Sequence, residues 1–342
     1  MTRSTDTVMV TGGAGYIGSH VVVKLCAAGY RPLVVDNFCN SSPSVAGKLE
    51  MLTGHAIEVA ELDLMDATGL ASLFETSRPT AVIHCAGLKA VAESVAHPLM
   101  YYEQNIGGTI NLLKQMDNFA CKRIVFSSSA TVYGAASAPP FDEQARTGPS
   151  NPYGRTKLFI EDIIRDWSAA GEGRAAALLR YFNPIGADES GLIGENPKGI
   201  PNNLMPLILD VVSGRLDQLA VFGGDYETPD GTGVRDYIHV DDLARGHISA
   251  LEFTEGTDST DVFNLGTGTG VSVLELIAAF ERVTGQRVPH RIVGRRPGDV
   301  AVSTADPSRA NRILGWQAQL DIDRMCADSW RFRASNLAGD DT

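Results

Sequence analysis

The chain has few of the features that mark secreted, membrane-bound or nucleic-acid-binding proteins. Its 342 residues include only 5 cysteines, at positions 26, 39, 85, 121 and 326. Their number is odd and none is spaced Cys-x-x-Cys, which argues against a disulfide framework and against a zinc site. No apolar run approaches the ~20 residues of a membrane span. The first apolar stretch, Val8 to Val10, is too short for the core of a signal peptide. Positive charge is also scarce: 29 Lys and Arg against 41 Asp and Glu leave a net charge of −12. That balance excludes the broad basic face needed for general nucleic-acid or anionic-membrane binding. The expectation is a cytoplasmic protein with no metal, no nucleic acid and no membrane as partner. A site for an anionic ligand would have to gather its cations locally.

What is present is enough apolar sequence for a sizeable core: 44% hydrophobic residues and 20% charged, a globular composition. At roughly 100 to 200 residues per domain, the length suggests two domains, or one large α/β core with a second lobe. Strand-like runs at Thr7 to Val10, Pro32 to Asp36, Ala56 to Val59, Thr80 to His84 and Arg123 to Ser128 alternate with helical patterns. Those helices are Tyr16 to Ala28, a segment capped by Asp66 and running to Ser77, and Pro98 to Met116. Alternation of this kind builds βαβ units and a parallel sheet covered on both faces. After Asn183 the texture changes, with Pro184 to Pro206 rich in Gly, Pro and Asn and expected as ordered loops. Shorter elements follow at Leu219 to Phe222, Val234 to Val240, Asp261 to Leu265, Ser272 to Thr284 and Asp321 to Arg333. The expected fold is α/β, a Rossmann-type doubly wound parallel sheet over residues 1–183 with a smaller α/β lobe over 184–342. Segments near 234–254 are candidates to return to the first domain.

The strongest local signal is Thr11-Gly-Gly-Ala-Gly-Tyr-Ile-Gly18, where Gly12, Gly15 and Gly18 follow a strand and open a helix. Such a turn lets the backbone approach a pyrophosphate, and the helix N-terminus supplies free N–H groups. The spacing G-x-x-G-x-x-G points to the short-chain dehydrogenase type. Asp36 ends the second strand, where a carboxylate accepts the hydroxyls of an adenosine ribose and repels a 2′-phosphate. Asn37 follows it, with no arginine beside it. Asp63, after the third strand, is placed to approach the adenine. The cofactor expected is therefore NAD rather than NADP.

A second signal is Tyr153-Gly-Arg-Thr-Lys157. Asn151 suits a helix N-cap, and Pro152 its first turn. Tyr153 and Lys157 then share one helix face. A phenol with pKa ~10 is a poor base at neutral pH, and each unit of lowering needs ~1.4 kcal/mol. Lys157 and an oxidised nicotinamide would both supply positive charge. A lone Tyr-x-x-x-Lys is common on surfaces; joined to the glycine loop it reads as catalytic. A third element, Phe126 to Gly134, lies at the carboxyl end of a strand, where doubly wound folds place their sites. Within it Ser129 is expected to be functional and Ser127 structural.

With these motifs in place, the chain resembles the UDP-glucose 4-epimerase (UDP-galactose 4-epimerase) family of extended short-chain dehydrogenases/reductases. The resemblance runs from Val10 to about Trp330. It also rests on His84-Cys-Ala-Gly-Leu-Lys-Ala-Val, Leu179-Arg-Tyr-Phe-Asn-Pro, Gly199-Ile-Pro-Asn-Asn-Leu-Met-Pro and Asp230-Gly-Thr-Gly-Val-Arg-Asp-Tyr-Ile-His-Val. It implies an NAD site lined by Tyr16, Ile17, Asp36, Asn37, Phe38, Cys39, Asn40, Ser41, Asp63, Leu64, Cys85, Ala86, Gly87, Leu88, Lys89, Lys157 and Phe182. Ser129 and Tyr153 would flank the hexose and meet the cofactor. Asn183, Asn203, Leu204, Ala220, Val221, Phe222, Arg235, Arg296 and Asp299 would hold the uridine diphosphate, with Lys89 reaching both ligands. Arg235 and Arg296 would answer the charge deficit. Gln104 stands where the family pattern has an asparagine near the nicotinamide, with Asn105 adjoining. Ser303 stands where some members carry a tyrosine beside the sugar.

The resemblance implies a hidden redox cycle. Tyr153 as phenolate takes the proton of the sugar 4-hydroxyl while NAD takes the C4 hydride. The transient 4-keto sugar turns, and the hydride returns to its other face. UDP-glucose and UDP-galactose are thereby interconverted, and the small Ser303 extends the expectation to the N-acetylhexosamine pair. It also implies a homodimer that pairs the helices after Pro98 and after Pro152. Three alternatives compete. A 4,6-dehydratase would need an Asp-Glu pair after Thr131, where Val132 and Tyr133 stand. A net NAD-dependent dehydrogenase would need exchangeable cofactor. A non-catalytic NAD-sensing module would not need Tyr153, Lys157 and Ser129 together.

Overall fold

The computed structural model describes residues 6–340 except 200, 202 and 297, and side chains as far as residue 337. Positions 200 and 202 of the Gly199–Pro206 motif, and position 297 of the Arg296 loop, therefore lie outside the described residues. Among the described residues thirteen strands are formed: β1 Thr7–Thr11, β2 Arg31–Asp36, β3 Glu58–Glu61, β4 Ala81–His84, β5 Arg123–Ser127, β6 Ala175–Tyr181, β7 Asn183–Ile185, β8 Leu219–Phe222, β9 Val234–His239, β10 Thr260–Leu265, β11 Gly270–Ser272, β12 His290–Val293 and β13 Val302–Ser303.

Seven of them make one parallel sheet in the order β10-β6-β5-β4-β1-β2-β3. β1 is an inner strand between β2 and β4, with Val10 opposite Val34 on one side and Ile83 on the other. Its side chains alternate across the sheet as strand geometry requires. Val8 and Val10 pack on one face with Val21, Leu25, Leu243 and Leu251. Met9 packs on the other with Leu70, Phe74, Leu112 and Ile160. Both faces are covered, so the strands read as continuous apolar runs. The order reverses between β1 and β4, and the crevice at their carboxyl ends is where doubly wound sheets bind ligands.

Caps set the helices that flank this sheet. Asp66 Oδ1 accepts from the Gly69 N–H and starts the helix Ala67–Ser77. Asn151 Oδ1 accepts from the Gly154 N–H at 2.9 Å, with Pro152 in the first turn of the helix Pro152–Ala169.

The second lobe is built on β9, which pairs with β11 antiparallel and with β7 and β13 in parallel. A two-stranded β8–β12 ribbon lies apart from it. The helices Leu204–Val212, Val273–Thr284 and Ile322–Asp340 close its core around Ile208, Phe280, Tyr237 and Met325. The chain interleaves: after β9 the helix Val240–Glu255 packs its Leu243 and Leu251 against the first sheet, and β10 pairs with β6 as the seventh strand. Among the described residues no helix is long and apolar enough to cross a membrane.

Three local expectations are corrected. The third strand is Glu58–Glu61 rather than Ala56 to Val59, because pairing with β2 sets its register, Leu33 opposite Glu58 and Asp36 opposite Glu61. The stretch expected as loops from Pro184 to Pro206 contains β7 and ends at Asn203, since Pro206 lies within the first turn of Leu204–Val212, where its missing N–H costs nothing. The single helix expected from Pro98 to Met116 is instead Pro98–Tyr101, a π-helical turn Tyr102–Gly107 and Gly108–Asn118. The wider turn adds a residue to the helical repeat and faces Asn105 inward. Asn105 is buried and Gln104 exposed, so the departure from pattern at Gln104 falls on the solvent side.

Candidate functional site

The loop residues expected at the cofactor follow the carboxyl ends of the parallel strands, and Asn105, Tyr153 and Lys157 are carried on flanking helices. Gly12 follows β1, Asp36 ends β2, Asp63 follows β3, Cys85 follows β4, Ser129 lies two residues past β5 and Phe182 follows β6. The glycine loop is backbone packed on backbone. Gly12 has φ +69, and a Cβ there would stand 2.8 Å from the Ala86 nitrogen; a Cβ on Gly18 would stand 2.2 Å from the Gly12 oxygen. No side chain caps the helix Tyr16–Ala27 at Gly15, so its first N–H groups face the crevice. This cradle fits a dinucleotide pyrophosphate.

Asp36 is buried, and Oδ1 accepts from the Phe38 N–H and the Ser41 hydroxyl while Oδ2 accepts from the Ala14 N–H. Three of about four acceptor positions are therefore taken, and the carboxylate is fixed where a ribose hydroxyl would reach Oδ2. Asn37 donates to Asp63 at 2.9 Å, tying the ends of β2 and β3 into one adenosine-side rim. Leu64 continues that rim, its carbonyl held by Asn111. On the nicotinamide side, Asn105 Oδ1 accepts from the Leu88 N–H at 2.8 Å and its Nδ2 donates to the Leu88 carbonyl and to Thr156. It fixes the Cys85–Lys89 loop against the helix of Tyr153. Phe182 packs in a buried cluster with Tyr133 and Phe141, beneath the crevice rather than exposed in it.

Ser129, Tyr153 and Lys157 meet at the end of β5. Tyr153 is 7% exposed; burial pushes its phenol up to about 12, and a hydrogen bond with Ser129 pulls the other way. Lys157 is buried too, and loss of solvent lowers its ammonium from 10.5 to about 8. Its Nζ donates to the Ser127 carbonyl at 2.8 Å and lies 5.9 Å from the centre of the Tyr153 ring. That distance puts the Lys157 charge within reach of the phenol, alongside the pull of Ser129, while burial dominates. Ser127, expected as structural, bonds His247 at 2.7 Å and Cys85 at 3.2 Å. Burial drives the Cys85 thiol up to about 11, so it stays protonated.

Behind this cluster lies a network that sequence reasoning missed. Glu161 accepts from Ser128 at 2.5 Å and takes both arms of Arg180, Nε at 2.9 Å and Nη2 at 2.6 Å. A buried bidentate pair of this kind locks β5, β6 and the Pro152–Ala169 helix together. Glu161 stands four residues after Lys157, so helical spacing was its one legible signal. A second missed acid is Glu195, whose Oε1 accepts from Lys89 at 2.8 Å and from Asn203 at 2.7 Å. It sits in an irregular glycine-containing segment and carries no sequence signal.

The nucleotide side collects the remaining residues. Asn183 opens β7, Asn203 precedes the helix Leu204–Val212, and Arg235 and Ser303 face each other across β9 and β13. Arg235 is half-buried and pairs with no carboxylate among the described residues; its Nη1 donates to the Val234 carbonyl. Arg296 pairs with Asp299 at 3.1 Å and lies 4.9 Å over the Phe222 ring. On β8, Ala220 and Phe222 face outward while Val221 turns into the core.

Comparison with known proteins agrees with this geometry. Residues 8–266 match the model of the NAD dependent epimerase/dehydratase family. The chain is 54% identical over 332 residues, 97% of its length and 98% of the relative's, to the UDP-glucose 4-epimerase of Bacillus subtilis. It superimposes with a TM-score of 0.95 on a Stenotrophomonas maltophila UDP-glucose-4-epimerase with bound NAD and formylated UDP-arabinopyranose, at 49% identity over 98% of this chain and 99% of that one. A Bifidobacterium longum UDP-glucose 4-epimerase in complex with NAD+ and UDP gives 0.93 at 48% identity, covering 97% and 99%.

Proposed function

The chain belongs to the NAD-dependent epimerase/dehydratase family, and from that membership and the buried Ser129–Tyr153–Lys157 cluster we infer an isomerase that interconverts UDP-glucose and UDP-galactose at C4 with NAD as cofactor. The observation that carries the inference is the meeting of these three residues at the end of β5, beside a glycine cradle on β1. When bound in the crevice over the glycine loop, NAD would supply a reversible hydride acceptor for the sugar C4. The protein's share is proton handling and positioning. Tyr153 takes the proton of the 4-hydroxyl and returns it, and Ser129, beside the phenol, orients that hydroxyl. A phenol held up to about 12 is a weak base by itself, and positive charge beside it is what makes the phenolate accessible. That ties proton removal to occupancy of the cofactor crevice.

Arg235, Arg296 and Asn203 hold the uridine diphosphate while the keto sugar turns, and Lys89 lies between the two ligands. The NAD-binding unit then comprises residues 1–183 together with the returning segment 240–265, and the remainder forms the sugar-nucleotide lobe. Five free thiols suit a reducing cytoplasm. Incubation with UDP-galactose and no added NAD yields UDP-glucose if this reading holds; net NADH accumulation or a dehydrated sugar would replace it with one of the alternatives.

Ser303 is half-buried opposite Arg235, and serine is far smaller than the tyrosine some family members carry there, so the N-acetylhexosamine pair is also turned over. Ser303→Tyr then abolishes N-acetyl turnover while sparing the unsubstituted pair, as kcat/KM for both pairs would show. The helices after Pro98 and Pro152 present Leu99 at 80% and Phe159 at 45% exposure, with Tyr102 stacked on Phe159. Such an apolar face is covered in a homodimer, which light scattering checks.

A further inference from the structure

One segment of the second lobe crosses the cofactor crevice. β1 lies between β2 and β4 in the sheet, so anything tied to the loops after both β2 and β4 must pass over the glycine loop after β1. The Lys198 backbone N–H donates to Asn40 Oδ1 at 3.1 Å, and its Nζ donates to the Phe38 carbonyl at 2.8 Å. Both partners lie in the loop after β2. Three residues earlier, Glu195 accepts from Lys89, in the loop after β4, at 2.8 Å. Phe38 is a non-glycine residue at φ 53, a conformation held only where the surroundings enforce it, and Lys198 occupies its carbonyl.

Glu195 is no ordinary surface acid. It is 7% exposed, and its Oε2 is buried with no partner among the described residues. A half-satisfied buried carboxylate is costly, and its cation comes from the other lobe. Its Oε1 also accepts from Asn203 at 2.7 Å, a residue assigned above to the nucleotide.

We propose that Glu195–Lys198 is a strap that retains NAD, fastened at one end by Lys198 and at the other by Glu195, and tightened by uridine nucleotide through Asn203. The proposal rests on the NAD-dependent reading given above. Release of a dinucleotide lying on the glycine loop requires both fastenings to open. When Asn203 turns to a nucleotide, Glu195 Oε1 is left to Lys89 alone, and that ion pair strengthens. Nucleotide therefore slows NAD release, and by linkage NAD raises nucleotide affinity.

The test measures NAD release from purified holoenzyme into a trapping excess of an NAD-consuming enzyme, with and without UDP. Forms compared are wild type, Lys198→Ala, Glu195→Gln and the double variant. Release accelerates about fivefold in Lys198→Ala, the loss of one solvent-exposed hydrogen bond of ordinary strength, and at least about as much in Glu195→Gln. The two effects multiply in the double variant, since the fastenings share no partner. UDP slows release from wild type and Lys198→Ala but not from Glu195→Gln, an outcome that mere loosening of the fold would not produce. Equal release rates in wild type and Lys198→Ala, whose side chain is exposed and whose loss leaves folding intact, would overturn the strap. Persistence of the UDP effect in Glu195→Gln would overturn the coupling. Failure of the underlying reading looks different: wild-type protein would carry no NAD and leave UDP-galactose unchanged.

Discussion

The cofactor half of the cleft draws its residues from the ends of six parallel strands of one sheet, whereas the nucleotide half draws on β7, β8, β9, β13 and loops belonging to separate sheets. In the first half the βαβ connections carry each residue to the same edge, because parallel strands all end on one side. The second half has no such guarantee. Its arginines and asparagines reach a common surface only through pairings such as Val302 with Val234 and Asn183 with Tyr237. The halves also differ in electrostatics. The reacting groups are buried and carry displaced pKa values, while the charged side chains that would meet a diphosphate stay partly hydrated, Arg296 at 51%. Chemistry is concentrated where one sheet gives rigid support, and grip is spread where the chain is more accessible.

Substitutions at matched positions sharpen this contrast. The largest effect is expected at Tyr153: Tyr153→Phe removes only the phenolic oxygen, keeps bound NAD, and lowers kcat about 10²- to 10⁴-fold. Retention of near-wild-type turnover would break the assignment of the base to the cofactor half. On the other side, Arg235→Ala raises KM for UDP-galactose about ten- to a hundredfold, as expected for a charge-assisted contact worth ~1.5–3 kcal/mol, with a smaller change in kcat. Arg296→Ala, more exposed and already paired with Asp299, raises KM only about threefold. Steady-state kinetics with both variants decide whether grip really follows burial.

The smallest of these effects concerns stability. Lys157 has a folded-state pKa of about 8 against an ordinary 10.5. Between these values the unfolded chain holds a proton that the folded protein lacks, so this group makes stability rise with pH across that window. Below about pH 8 the buried ammonium costs roughly 3 kcal/mol, partly offset by its bond to the Ser127 carbonyl. Lys157→Met is therefore more stable than wild type by about 1–2 kcal/mol at pH 7, an advantage that fades as pH rises through 8 and is gone above 10.5. Denaturant titrations at pH 7 and 10 check this; a destabilised Lys157→Met at pH 7 would mean that the bond to Ser127 outweighs the buried charge.

How much was legible beforehand follows the same division. The glycine loop, Asp36, Tyr153 and Lys157 are short-range signals, set by a turn, a strand end and one turn of helix, and each lies where its local pattern put it. Asn151 as a cap and Asp66 as a cap were readable for the same reason. The π-helical turn that faces Asn105 rather than Gln104 inward was not, because a shift of one residue in a helix leaves the apolar pattern nearly unchanged. Glu195 carried no signal, and Glu161 only its helical spacing from Lys157: a carboxylate's role depends on what lies opposite it, and Lys89 and Arg180 are distant in sequence.

By itself, then, the order of residues determined the parallel sheet, the dinucleotide cradle and the shared helix face of Tyr153 and Lys157, since each is a local pattern of a few residues. Tertiary structure alone decided that β10 completes the first sheet, that burial holds the phenol up against the pull of Ser129, and that Glu195 joins Lys89 to Asn203. Those outcomes depend on burial and on contacts between segments far apart in the chain, where desolvation and partner geometry, not local propensity, set the energy.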